Sequence, residues 1–136
     1  MAEAPSLRIA RVISPRVKEP APGTWSNCLV VDGIAYVTGM IARGDDRLVG
    51  EEYQQAKVIF AKIGALLEAA GGAMADVVRL AIYVTDIAQR EKVWRPRREV
   101  FTGNFPVSTL VQVAALADPS VKVEIEAIAH IGAGGR

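Results

Sequence analysis

Near the C-terminal end of the chain, Glu124 and Glu126 stand in the otherwise apolar run Val123-Glu-Ile-Glu-Ala-Ile-Ala129. If the run is a β-strand, its period of two places both carboxylates on one face and Val123, Ile125 and Ala127 on the other. A carboxyl partly withdrawn from water titrates closer to neutrality, where it can both accept and return a proton, so Glu124 is a candidate general acid or base. Strand carboxylates also occur as paired structural residues, and residue types alone leave both readings open.

Other chemistry-bearing residues are few. The chain has a single histidine, His130, six residues from its end. A Ser-His-Asp triad or a multi-histidine metal site would have to use it, and a polar residue at the end of a strand is the simpler reading. Cys28 lies in an apolar run, where a thiol packs rather than reacts. It cannot form an intrachain bridge by itself, which suits a reducing, cytoplasmic compartment. The spacings of zinc, P-loop and dinucleotide sites are missing, so no metal and no cofactor are expected. Arg95, Arg97 and Arg98 read as a solvated helix face with Trp94 as the sole nearby aromatic. Arg43-Gly44-Asp45-Asp46-Arg47 reads as a solvated turn.

The elements that position these residues follow from periodicity. Leu7, Ile9 and Val12-Ile13 permit a first strand, followed by a loop containing Pro15, Pro20, Pro22 and Gly23. Asp32-Gly33 between Cys28–Val31 and Ile34–Thr38 predicts a two-residue β-hairpin, with Gly39 ending its second arm. Ala56, Ile59, Phe60, Ile63, Leu66, Leu67 and Ala70 form one apolar helical stripe that Gly71-Gly72 stops. Val77 to Thr85 predicts a central strand covered on both faces. A second helix spans about Ala88 to Phe101, with Pro96 expected to kink or interrupt it. Strands over Ser108 to Ala114 and Val121 to Ile131 complete the order β-ββ-α-β-α-ββ. This is an α/β fold: a six-stranded mixed sheet with two helices on one face, the other face needing cover.

Composition agrees. The 136 residues suit one domain, spanning 1–136, and at this length a fold buries roughly 68% of the unfolded surface without a metal or disulfide. A net charge of +1 argues against nucleic acid or an anionic membrane as partner. No apolar run reaches the roughly 18 residues of a membrane helix, and Met1 to Ser14 lacks the apolar core of a signal peptide. At 51% hydrophobic and 23% charged residues the chain is apolar for a lone small domain, which points to self-association.

Longer segments resemble the YjgF/Rid family. Val123 to Ala129, preceded by Pro106 and Ser-Thr-Leu-Val-Gln-Val at 108 to 113, is similar to that family's C-terminal signature. Tyr36-Val-Thr-Gly-Met-Ile41, Leu67-Glu-Ala-Ala-Gly71 and Asp76 to Asp86 resemble its strand end, helix and central strand. The similarity covers residues 24 to 131, leaving residues 1–23 as a strand and Pro-rich loop outside the family core. It implies a chorismate-mutase-like fold assembled as a homotrimer, with intersubunit clefts for small carboxylic acids. The activity it implies is hydrolysis of enamines and imines to ammonia and a 2-oxo acid.

By the same resemblance Glu124 matches the carboxyl that positions water. Leu110 matches a position whose backbone holds ligand, Trp25 and Thr38 match cleft positions occupied by tyrosine and serine, and Trp94 falls near one occupied by asparagine. Ser108 stands where the family's arginine clamps the substrate carboxylate. A hydroxyl cannot replace the two charge-assisted bonds of a guanidinium, so weak or absent turnover of 2-iminopropionate and 2-iminobutanoate is expected. The expected function is a Rid-like protein that binds a small metabolite between subunits and hydrolyses an imine through Glu124. The alternative is a non-catalytic, metabolite-binding or regulatory module. Endoribonuclease activity, attached to some relatives by name, ranks last.

Overall fold

The computed structural model describes residues 8–43 and 50–135. Leu7 of the expected first strand and most of the Arg43 to Arg47 turn lie outside them. Strand β1 (Ala10–Val12) leads through the proline-containing loop to β2 (Cys28–Val31) and β3 (Ile34–Met40). Asp32 and Gly33 between them have φ of 52° and 74°, the left-handed pair that a two-residue turn needs to match strand twist.

Helix α1 (Glu52–Ala69) buries Ala56, Ile59, Phe60, Ile63, Leu66 and Leu67, the stripe expected from their spacing. Its end is closed twice: Gly72 N–H donates to the Leu67 carbonyl at 2.8 Å and Gly71 N–H to that of Glu68 at 3.0 Å. This pairing requires the positive φ of 86° that Gly71 supplies. A short 3-10 turn (Met74–Asp76) precedes β4 (Val77–Val84), and a second (Ile87–Gln89) precedes α2 (Glu91–Val100). Contrary to expectation, Pro96 does not interrupt α2. Its apolar ring is buried, and Phe101 just beyond the helix meets Phe60 edge-on at 5.8 Å, joining the two helices.

Strands β5 (Val107–Gln112) and β6 (Val123–His130) complete a single sheet of order β1-β2-β3-β6-β4-β5. Only β4 and β5 run parallel, linked across α2. The last strand begins at Val123 rather than Val121 because α1 captures the backbone before it. Buried Gln55 accepts from Lys122 N–H at 2.9 Å and donates to the Ser120 carbonyl at 2.9 Å.

Both helices cover one face of the sheet. Val123, Ile125, Ala127 and Ala129 join Leu80, Ile82 and Val84 in the core beneath them. The face turned from the helices carries Tyr36, Arg79, Tyr83, Glu124 and Glu126. The chain therefore covers β4 on one face rather than two. Among the described residues no helix is long and apolar enough to cross a membrane.

Candidate functional site

Glu124 and Glu126 share the open face, as their alternation predicts. Glu126 accepts a hydrogen bond from the Tyr83 hydroxyl at 3.2 Å, and its negative charge is the main reason the Tyr83 phenol is held above its usual range. Together with Tyr36, Arg79 and Ile128, Glu126 lines a depression of about 220 Å³. Glu124 sits differently. Partial burial raises its carboxyl above the usual value, and the neighbouring charge of Glu126 adds to this. Such a group holds a proton at a pH where an ordinary glutamate has lost it.

The carboxyl is seated by a backbone irregularity. Val37 pairs with Ala127 and Met40 with Ile125, so Thr38 and Gly39 together oppose Glu126 in a β-bulge. Sequence reasoning makes Gly39 the end of a strand, whereas β3 passes through it. A side chain there would push Glu124 aside: a Cβ on Gly39 would lie 2.8 Å from Cδ and Oε2 of Glu124. Thr38 N–H donates to the Asn27 carbonyl at 2.9 Å, tying the bulge to the segment that carries Trp25, which is 57% exposed. The structure thus sets Glu124 over Gly39, the residue after Thr38, and links the bulge to the Trp25 segment. The signal for Gly39 is a glycine inside a strand, which commonly marks a bulge or a close approach.

Because the overlap is with the end of a flexible side chain, Gly39→Ala is expected to leave the fold intact and move the carboxyl. Displacements of about 1 Å at a reacting group can cost on the order of 100-fold in rate. If Glu124 moves a proton in a reaction, kcat is expected to fall by that order with a melting temperature near that of the wild type, measured by a steady-state assay and a thermal melt.

Ser108, Leu110 and Trp94 form a second group on the opposite side of the sheet. In the parallel ladder Ser108 pairs with Leu80 and Leu110 with Ile82, both core residues beneath the helices. Leu110 packs against that core. Ser108 Oγ accepts a hydrogen bond from Nη1 of Arg97 on α2 at 2.9 Å, and the Arg97 guanidinium lies 5.7 Å from the Trp94 ring. A single chain therefore does not bring Ser108 and Glu124 together.

The remaining candidates are quiet. Cys28 is fully buried, and burial pushes its thiol up to about 11, so it packs rather than reacts. His130 is exposed at the end of β6. Among the described residues no cluster of histidine, cysteine and carboxylates suits a metal ion.

The Endoribonuclease L-PSP family model matches residues 17–131 of this sequence, which includes both groups. The chain belongs to this family, the YjgF/Rid family. A human relative named 2-iminobutanoate/2-iminopropanoate deaminase is 35% identical over 130 residues, covering 93% of this chain and 94% of that one. The rat protein of the same name is 36% identical over 127 residues, covering 91% and 92%. Among solved structures, a Pseudomonas aeruginosa protein of unknown function superposes with a TM-score of 0.87 at 35% identity, covering 93% of this chain and 94% of that one. RidA from an Antarctic Psychrobacter gives 0.81 at 29%, covering 90% and 99%. The Rid fold is thus reproduced across the sheet and both helices, in agreement with the resemblance read from sequence.

Proposed function

We propose that this Rid protein hydrolyses small 2-imino acids to 2-oxo acids and ammonia, in clefts formed where chains assemble as a homotrimer. The observation that carries the reading is the Glu124 carboxyl, partly desolvated and lying over the side-chain-free backbone of Gly39. The deaminase names of the relatives supply the reaction class and a carboxylate-bearing imine as substrate.

Water adds its oxygen to the protonated imine carbon while Glu124 takes one of its protons, giving a carbinolamine. Glu124 then returns that proton to the amine nitrogen. The C–N bond breaks as the remaining hydroxyl becomes a carbonyl, and the hydroxyl proton leaves with the nitrogen as ammonium. Iminium and water become oxo acid and ammonium with no redox change. Raising the carboxyl towards neutrality suits it to both transfers.

Assembly is part of the proposal because Glu124 and Ser108 face opposite sides of one sheet. Packing the open face of one chain near the β5 edge of the next would complete the cleft. The exposed apolar residues Tyr36, Val107 and Val111 supply surface for such a contact. The nuclease name of the family gains no support from a chain of net charge +1.

The test generates 2-iminobutanoate with a threonine dehydratase in the presence of semicarbazide, which traps free imine. Added protein is expected to divert imine from the semicarbazone to 2-oxobutanoate, and pure protein without effect on that partition overturns the reading. Sedimentation at micromolar concentration is expected to give three times the chain mass, and a stable monomer would refute the cleft.

A further inference from the structure

Helix α2 and its N-cap carry five cationic side chains from Arg90 to Arg98, and their partners differ. Lys92 pairs with Glu51, Arg98 with Glu91, and Arg95 stacks 4.0 Å from the ring centre of Tyr53. Arg97 has no carboxylate within ion-pair distance among the described residues. Its one hydrogen bond is to the neutral hydroxyl of Ser108, and its Nε is buried with no acceptor. A guanidinium with one neutral partner and a buried Nε donor lacking an acceptor keeps unused capacity for an anion.

Its surroundings act on it unequally. Burial disfavours the charged form first, Arg98 repels it, and the charge of Glu91 partly offsets both. Arginine nonetheless remains protonated in such settings, so the imbalance calls for an anion. Trp94 flanks the guanidinium at 5.7 Å, and Arg90 lies at the same distance from that ring. Ser108 fixes one terminal nitrogen, and the other terminal N–H groups remain to form a fork for a planar acceptor.

We infer that Arg97, oriented by Ser108 and flanked by Trp94, binds the substrate carboxylate in this protein. The inference rests on the imine-hydrolase reading for the identity of that anion. It changes what Ser108 means: the strand position carries no guanidinium, but its hydroxyl holds one delivered from α2. The weak turnover expected from Ser108 by itself then gives way to turnover that depends on Arg97. Arg97 acts here as a binding group, while the proton steps belong to Glu124.

The probe is 2-oxobutanoate, which keeps the carboxylate and does not turn over, titrated into the assembled protein by calorimetry. Arg97→Met is expected to weaken binding by about 10–100-fold, the range for a lost charge-assisted pair. In the imine assay it should raise KM more than it lowers kcat. Arg97→Lys keeps the charge without the fork and is expected to fall between. Arg98→Gln, which removes a cation already paired with Glu91, is expected to bind as the wild type does. Thermal melts identify which Arg97 variants are folded.

Wild-type affinity in a folded Arg97→Met or Arg97→Lys variant overturns the inference. So does an equal loss in Arg98→Gln, or a wild type that does not bind 2-oxobutanoate. If the wild type binds through Arg97 yet leaves imine untouched, the clamp stands and the hydrolase reading falls. If imine is hydrolysed with an unchanged KM in Arg97→Met, the reverse holds.

Discussion

Glu124→Gln is expected to lower kcat by roughly 10²- to 10⁴-fold, the range for removing a general acid–base group. The amide fills the same space over Gly39 but can neither take the proton from water nor return it to nitrogen. Binding of 2-oxobutanoate should change little, because the group that meets the carboxylate lies elsewhere. A variant that retains wild-type turnover would remove Glu124 from the chemistry.

The same variant carries a pH signature. The folded-state pKa of Glu124 is raised, first by burial and then by Glu126. A carboxyl raised on folding contributes stability that is complete below its unfolded value of about 4.3 and is lost as pH rises through its folded value. Glutamine never ionises, so it avoids that loss. The variant should melt above the wild type at pH 8, with the gap shrinking as pH falls towards 4. Differential scanning calorimetry at several pH values reads this directly, and a gap that widens on acidification would contradict the desolvated environment. Loss of turnover with gain of stability is the pattern expected where a site holds a charge that the fold alone disfavours.

Mixing two impaired chains is expected to restore activity. If each cleft takes Glu124 from one chain and Arg97 with Ser108 from its neighbour, Glu124→Gln chains and Arg97→Met chains are defective on opposite sides. Co-refolding them in equal amounts gives random trimers in which roughly a quarter of the clefts receive both intact residues. Activity should climb from near zero to about a quarter of the wild-type value under subsaturating substrate. Either variant refolded alone provides the baseline. No recovery in trimers shown by mass spectrometry to be mixed would mean that both residues serve a site within one chain, against the opposite-face geometry.

Much of this arrangement is readable from residue order. The alternation from Val123 to His130 assigns both faces of β6, Asp32-Gly33 gives the hairpin and its register, and the α1 stripe with its glycine stop gives the longer helix. Local pattern fails at three places for identifiable reasons. Val107 to Gln112 has apolar residues at 107, 110 and 111, which fits neither parity, so the direction of Ser108 emerges only from the parallel pairing with β4. The bulge at Thr38-Gly39 depends on the neighbouring strand rather than on β3 itself. Pro96 ought to break a helix, yet its ring is taken up by the interior, and packing outweighs the missing hydrogen bond. For the candidate site, Glu124 can be proposed from its strand, whereas the role of Gly39 requires its distance to Glu124. Arg97 is legible only as a member of a basic helix, because its link to Ser108 crosses from helix to strand.

The strand that carries Ser108 also ends the sheet. Among the described residues only one side of β5 is hydrogen-bonded, and Val107 at 66% and Val111 at 41% exposure leave it apolar. Such a border is a template for unwanted strand addition whenever it is bare. Under the proposed assembly, newly made chains would be most vulnerable before they meet one another, and the yield of usable protein would depend on how quickly they find partners as well as on how stably each one folds. Slow encounter at low abundance would then favour degradation over assembly, so expression level would bear on the activity obtained.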